Sequence, residues 1–254
     1  MRVLVTNDDG IFAEGIYSLA KELDKFFEVI VAAPDTERSA TGHAITIYKP
    51  LRVNKIRFFD TDVDAYSING TPADCVKLAV DSLLKEKKPD LVVSGINNGP
   101  NLGTDVLYSG TVSAAIEASI LGIPSIAISM GDRDIVQYSD AAEYTCRIAK
   151  EMFKNEVLTD TIININYPTC NKIDIKGAKV TTLGIRKYSN VFIERKDPRG
   201  NSYYWTSGTI VEMEQNKESD IAALKNNFVS ITPIHYNLTN LDSYERIQDW
   251  NVQI

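Results

Sequence analysis

Short, almost unbroken apolar runs alternate along this chain with stretches whose apolar residues recur every three or four positions. Val3-Leu4-Val5, Val29 to Ala33, Asp90 to Ser94, Pro124 to Ser129 and Thr161 to Asn166 are of the first kind. Continuous apolar runs of that length read as strands covered on both faces. Ile16, Leu19, Ala20 and Leu23 share one face of a predicted helix over Ile11–Lys25. Thr71-Pro72-Ala73-Asp74 carries an N-cap residue, a proline at the first helical position and an acid at the third. It predicts a helix running to about Lys87. Two more helices are predicted over Thr111–Leu121 and Tyr138–Asn155. Ile45 to Val53 and Arg57 to Ile68 read as short strands. The alternation predicts an α/β fold, a mainly parallel sheet with helices on both faces. Ligands of such sheets sit beyond the carboxyl ends of the strands.

After Lys176 the texture changes. Lys179–Ile185, Val191–Arg195 and Ser202–Thr206 read as strands, and Asp197-Pro198-Arg199-Gly200 as the turn between the last two. Ser219–Asn226 predicts a short helix, Phe228–Ile234 a strand and Ser243–Trp250 a terminal helix. The division is therefore a core over residues 1–176 and a carboxyl-terminal extension over 177–254. A hairpin carrying Val191, Phe192, Tyr203, Tyr204 and Trp205 has too little local core to stand alone, and is expected to pack on another subunit.

The chain has 254 residues, 44% hydrophobic and 24% charged, which excludes a disordered or collagen-like polymer. No apolar run is long enough to span a bilayer. The first residues meet Asp8 and Asp9 before a signal-peptide core could form, and the three cysteines make no CxxC. A reduced, cytoplasmic protein is expected. The net charge of −7 argues against a nucleic-acid polymer as partner. It also means that a phosphate ligand would need local positive potential, from a cation or from helix amino termini.

Four polar segments are the candidates for chemistry. Asn7-Asp8-Asp9-Gly10 places two carboxylates at a strand end, where they repel unless a cation joins them. The same acids would also suit the start of a helix. Arg38-Ser39-Ala40-Thr41-Gly42-His43 is a loop of small side chains, and His43 receives no role. Ser94-Gly95-Ile96-Asn97-Asn98-Gly99-Pro100-Asn101 is an asparagine-rich turn, equally able to be structural. Tyr108-Ser109-Gly110-Thr111 opens a helix, where Ser109 is a cap and the free N–H groups suit a phosphate. Asp8, Asp9, the Ser39 hydroxyl and the Asn97 amide oxygen form a set of hard oxygen donors. That set fits Mg²⁺, Mn²⁺ or Ca²⁺ rather than zinc.

Leu4 to Ile11 with Gly15, Asn69-Gly70-Thr71-Pro72-Ala73-Asp74-Cys75-Val76, Ser94 to Gly99 with Asn101, and Tyr108-Ser109-Gly110-Thr111-Val112 stand in this order. Together with Val229 to Ile234, they resemble the SurE family of survival-protein phosphatases, which are 5′/3′-nucleotidases. The resemblance implies a Rossmann-like core whose extension is exchanged between subunits of a homodimer or homotetramer. It implies one divalent ion per subunit, held by Asp8, Asp9, Ser39 and Asn97. It implies phosphate release from nucleoside monophosphates, with some activity on short polyphosphate. Asn98, Ser109, Gly110 and Thr111 match the phosphate-binding positions, and Asp8, Asp9 and Asn98 are the expected catalytic residues.

Two rival readings belong to other classes. Paired acids after a first strand also open phosphoacceptor receiver domains, but Ser94 to Asn97 stand where the acceptor aspartate would be. A catalytically silent nucleotide-binding module is the other, although the chain has no GxxxxGK[ST] loop.

Overall fold

The structure, a computed structural model, describes residues 1–132, 138–155, 160–189 and 191–250. In chain order its elements are β1 (Arg2–Thr6), α1 (Glu14–Leu23), β2 (Glu28–Pro34), β3 (Val53–Ile56), β4 (Asp64–Ile68), α2 (Pro72–Leu78), β5 (Leu91–Asn97), α3 (Gly110–Ile120), β6 (Ser125–Met130), α4 (Tyr138–Lys154) and β7 (Ile162–Tyr167). Beyond these lie β8 (Ala178–Val180), β9 (Tyr188–Ser189), β10 (Phe192–Lys196), β11 (Ser202–Thr206), β12 (Thr209–Ile210), α5 (Asp220–Lys225), β13 (Val229–Ile234) and α6 (Leu241–Gln248).

Nine strands form one sheet in the order β3-β4-β2-β1-β5-β6-β7-β13-β8. From β4 to β7 every neighbouring pair is parallel. β3 and β13 run antiparallel to β4 and β7. The expected α/β, Rossmann-like fold class is the one observed. The strand side chains alternate between two apolar layers, as a pleated strand requires. Val3, Val5, Val31, Val93, Ile126 and Ile128 meet Ile16, Leu19 and Leu23 of α1 and Ala142, Cys146 and Ala149 of α4. Leu4, Ile30, Ala32 and Val92 meet Cys75 and Val76 of α2 and Ala114 and Ala118 of α3. Each fully buried Leu or Ile contributes about 1.5–3 kcal/mol. From β1 the order proceeds to β2 on one side and to β5 on the other, so the crevice of this sheet lies at the tips of β1 and β5.

Some predicted elements differ. The helix from Pro72 begins with the expected capping box, Thr71 and Asp74 each bonding the other's backbone. It stays α-helical only to Leu78, and residues Ala79–Leu83 widen to a π turn closed by Leu84 N–H on Ala79 C=O. Residues 45–52 form no strand. Thr46 gives its N–H and its hydroxyl to the Asp74 carboxylate, so this stretch is tied to a helix amino terminus rather than to a ladder. The strand predicted over 179–185 shrinks to β8 and one bridge from Thr182 to Ser219.

Beyond residue 176, β8 and β13 join the main sheet, while β10 and β11 project as an antiparallel hairpin. Its turn is closed by Asp197, whose carboxylate accepts the N–H groups of Arg199 and Asn201. Asp220 ties this part to the core: its buried carboxylate accepts N–H from Gly103 at 2.7 Å and from Gly184 at 2.8 Å. Residues 251–254 of the extension lie outside the described residues.

Candidate metal and phosphate site

The chain leaves β1 through a turn that its own side chains pin. Asn7 Nδ2 donates to the Gly10 carbonyl at 2.8 Å, and Ile11 N–H to that of Pro34 at 2.8 Å. Gly10 has a φ of +98°, and a Cβ there would lie 3.3 Å from the Thr36 backbone. Glycine is therefore the residue this turn admits without strain. The turn sends Asp8 inward, where it is only 4% exposed, and leaves Asp9 half-buried beside it.

Asp8 is seated against the first turn of α3. The Thr111 hydroxyl donates to Asp8 Oδ1. A Cβ on Gly110 would come within 2.7 Å of Asp8 Cβ and 2.9 Å of Oδ2, so only glycine lets the helix approach so closely. Burial pushes the Asp8 carboxyl up to about 6; the Thr111 hydrogen bond pulls it down, and the neighbouring Asp9 charge raises it. Asp9 Oδ2 accepts the backbone N–H of Asn98 at 3.0 Å, which joins the β1 turn to the β5 tip. Ser109 caps α3 by accepting Val112 N–H at 3.0 Å. Asn97, the last residue of β5, donates Nδ2 to the Gly99 carbonyl at 2.7 Å, leaving Oδ1 as its donor atom for a cation.

The loop after β2 is tied to the same place. Arg38 N–H donates to the Asp8 carbonyl at 2.7 Å, and Gly42 N–H to that of Tyr108 at 3.1 Å. The Ser39 hydroxyl, however, is exposed and donates to Glu37 at 2.6 Å. The structure thus joins Asp8, Asp9, Asn98, Gly110 and Thr111 by direct contacts. It sets Asn97 and Ser109 next to them in the chain and holds Ser39 nearby through the backbone of Arg38. Thr111, expected to face a phosphate, spends its hydroxyl on Asp8.

The donor set fits a hard divalent ion. Two adjacent carboxylates, one of them desolvated, call for a positive partner. The Oδ1 atoms of Asn7 and Asn98 are buried without a hydrogen-bond partner among the described residues. Among those residues no three His, Cys, Asp or Glu side chains gather into a metal-holding group. A cavity of about 560 Å³ between the tip of β7 and the extension, lined by Cys170, Arg186 and Met213 among others, includes none of these residues.

Two features escaped the sequence reading. Asn7 acts as the turn's clasp. His43 meets the buried Glu117 of α3 at 2.8 Å, and Lys77 donates to the other oxygen of that carboxylate at 3.1 Å. Burial pushes Glu117 upward, but the two hydrogen bonds outweigh it and hold the carboxyl below its ordinary value. Positions 43 and 117 are 74 residues apart, and no local pattern couples them.

Comparison with known proteins adds independent findings. A model of the family described as survival protein SurE matches residues 3–190. The chain is 62% identical over 253 residues to the 5′-nucleotidase SurE of Alkaliphilus metalliredigens, covering 100% of both chains. It is 52% identical to the 5′-nucleotidase SurE of Natranaerobius thermophilus, covering 98% of each. The crystal structure of the SurE protein from Aquifex aeolicus superposes with a TM-score of 0.85 at 42% identity, covering 98% of each chain.

Proposed function

The chain belongs to the SurE family, and from that premise we propose that it is a divalent-metal-dependent phosphomonoesterase acting on nucleoside 5′- and 3′-monophosphates, and on short polyphosphate. The observation that carries this reading is the seating of Asp8 against the amino terminus of α3, with the adjacent Asp9 accepting the Asn98 N–H beside the β5 tip.

Asp8, Asp9, Asn97 Oδ1 and the Ser39 hydroxyl would hold one Mg²⁺ or Mn²⁺, with Ca²⁺ chemically compatible. Ser39 would exchange its bond to Glu37 for this role. When bound, the ion supplies Lewis acidity toward the phosphoryl group and toward water. The chain's own groups do the rest. The first-turn N–H groups at Gly110 and Thr111 and the Ser109 hydroxyl offer donors to the phosphate oxygens, at the end of the helix whose dipole favours an anion. Asn98 adds an amide whose Nδ2 can donate to a phosphate oxygen, while its Oδ1 is buried without a partner among the described residues. Thr111 fixes the Asp8 rotamer through its hydroxyl. Asp8 or Asp9 accepts the proton of the attacking water. The receiver alternative has no support at the β5 tip, which carries Asn97 instead of an acceptor aspartate.

We also infer a homodimer or homotetramer built through the extension over 177–254, beyond the core of residues 1–176. Phe192, Tyr204 and Trp205 of the hairpin and Leu238 and Leu241 near α6 are all exposed, which favours a covering partner. A cytoplasmic setting suits the free thiols of Cys75, Cys146 and Cys170; among the described residues no helix is long and apolar enough to cross a membrane.

The test is phosphate release from a panel of 5′- and 3′-nucleoside monophosphates and short polyphosphates, with Mg²⁺ or Mn²⁺ and with a chelator. The expected result is release that requires the metal. Release of equal rate in the chelator would contradict the proposal.

A further inference from the structure

On the face of the sheet covered by α3, a row of polar side chains crosses the tips of four strands. Asn97 of β5 is in register with Ser129 of β6, Ser129 with Asn166 of β7, and Asn166 with Ser230 of β13. Asn164 lies two residues before Asn166, on the same face. Ser129, Asn164, Asn166 and Ser230 are fully buried. Buried amides are retained at such positions only where they have something to bond.

The amides of Asn164 and Asn166 and the Ser129 hydroxyl meet at a single residue, Asn101, at the far end of the loop that begins with Asn97, whereas Ser230 Oγ and Asn164 Oδ1 are buried without a partner among the described residues. Asn166 Oδ1 accepts the Asn101 N–H at 2.8 Å, and Asn166 Nδ2 donates to the Asn101 carbonyl at 3.0 Å. Asn164 Nδ2 donates to the same carbonyl at 3.0 Å. Asn101 Nδ2 in turn donates to Ser129 Oγ at 2.8 Å. One side-chain amide thus reads both backbone groups of Asn101, as a neighbouring strand would, while a second amide and a hydroxyl fix the rest.

The loop from 97 to 101 is therefore held at both ends. At one end Asn97 is part of β5. At the other, Asn101 is locked onto β6 and β7. Between them, Asn98 reaches Asp9 through its backbone N–H, and Asn97 Nδ2 closes on Gly99. The Asn101 lock thus anchors the far end of the loop that carries Asn97 and Asn98.

We propose that Asn164 and Asn166, with Ser129, are positioning residues of the phosphatase site, acting through Asn101 to set where Asn97 and Asn98 stand relative to Asp8 and Asp9. The proposal rests on the functional reading above. Outer groups that orient metal-site ligands typically matter about 10–100-fold in metal affinity or activity. A displacement of about 1 Å of a reacting group carries a similar loss.

The test compares Asn166→Ala and the milder Ser129→Ala with Thr232→Val. The last removes a buried hydroxyl contact, Thr181 to Thr232 at 2.8 Å, from the residue in register with Asn164 while leaving all four bonds to Asn101 in place. For each protein the measurements are the melting temperature, kcat and KM on a nucleoside monophosphate, and Mn²⁺ affinity by calorimetry of metal-stripped protein. Asn166→Ala is expected to lose about tenfold or more in both kcat and Mn²⁺ affinity. Ser129→Ala, which opens one of the four bonds, should lose about threefold. Thr232→Val should melt earlier yet keep wild-type kcat and Mn²⁺ affinity. If Asn166→Ala folds and matches wild type in both quantities, or if Thr232→Val loses as much, the lock is structural only and the proposal is overturned. Should Asn166→Ala not fold, Ser129→Ala with wild-type kcat and Mn²⁺ affinity overturns it equally. A wild-type enzyme that neither binds Mn²⁺ nor releases phosphate removes the functional reading and the positioning role together, which separates that failure from the loss of the lock alone.

Discussion

The strand tips of the core and the hairpin of the extension depart from ordinary packing in opposite senses. At the tips of β1, β5, β6 and β7, polar side chains are buried: Asp8, Asn101, Ser129, Asn164 and Asn166 are each less than a tenth exposed. In the hairpin, apolar side chains are open: Phe192 is 67% exposed and Trp205 65%. Burying a carboxylate or an amide costs free energy unless a partner is supplied, and exposing a large apolar face forgoes the gain of covering it. At the tips most of these groups find their partners in one another, through the bonds to Asn101, and Asp8 is the buried charge among them; in the hairpin the apolar faces stay open. On the proposed reading the tips take a cation and an anion held by it, and the hairpin takes another apolar surface.

The comparison breaks most sharply at Asp9. Asp9→Asn removes one of the two charges that call for the cation, and kcat/KM should fall about 100- to 1,000-fold, measured as metal-dependent phosphate release. The hairpin double substitution Tyr204→Glu with Trp205→Glu should instead leave the strand tips intact. Sedimentation at micromolar concentration is expected to show a smaller species, while kcat falls less than about tenfold. A reversal of these two outcomes would mean that the regions had been assigned the wrong tasks.

Asp220 stands where the two regions meet. Asp220→Ala strips the acceptor from the N–H groups of Gly103 and Gly184, at a cost of about 3 kcal/mol in urea unfolding. The smallest effect concerns the latch between the β2 loop and α3. Glu117 is held below its ordinary value of 4.5, so its contribution is full above that pH and is lost as the pH falls through the depressed folded value. Glu117→Gln should therefore lower thermal stability by about 1 kcal/mol at pH 7, and the gap to wild type should narrow progressively in melts taken further below pH 4.5.

The apolar runs made the sheet legible in the sequence, since Val3-Leu4-Val5 and Val29 to Ala33 have no other stable use. The paired acids before Gly10 and the Ser109-Gly110-Thr111 helix start were legible as local patterns: adjacent carboxylates at a strand end repel, and Ser109 is a preferred N-cap. Asn164 and Asn166 were not. Thr161 to Asn166 read as a strand covered on both faces, and both asparagines are fully buried, but nothing in the run says what they bond. Their partner is a backbone 63 and 65 residues away, which no local pattern announces. Ile45 to Val53 misled for a related reason. Its apolar residues suggested a strand, but Tyr48 is 98% exposed and Thr46 is bonded to the capping carboxylate of α2. The Ser39 hydroxyl shows the same limit, because its position depends on Glu37 as much as on the aspartates.

The most direct test of the central claim is a crystal of this protein grown with Mn²⁺ and measured at a wavelength where manganese scatters anomalously. The account predicts one strong peak per subunit, within coordination distance of both Asp8 and Asp9 and of Asn97 Oδ1. A peak bound elsewhere, with the two carboxylates making no contact to it, would contradict the account.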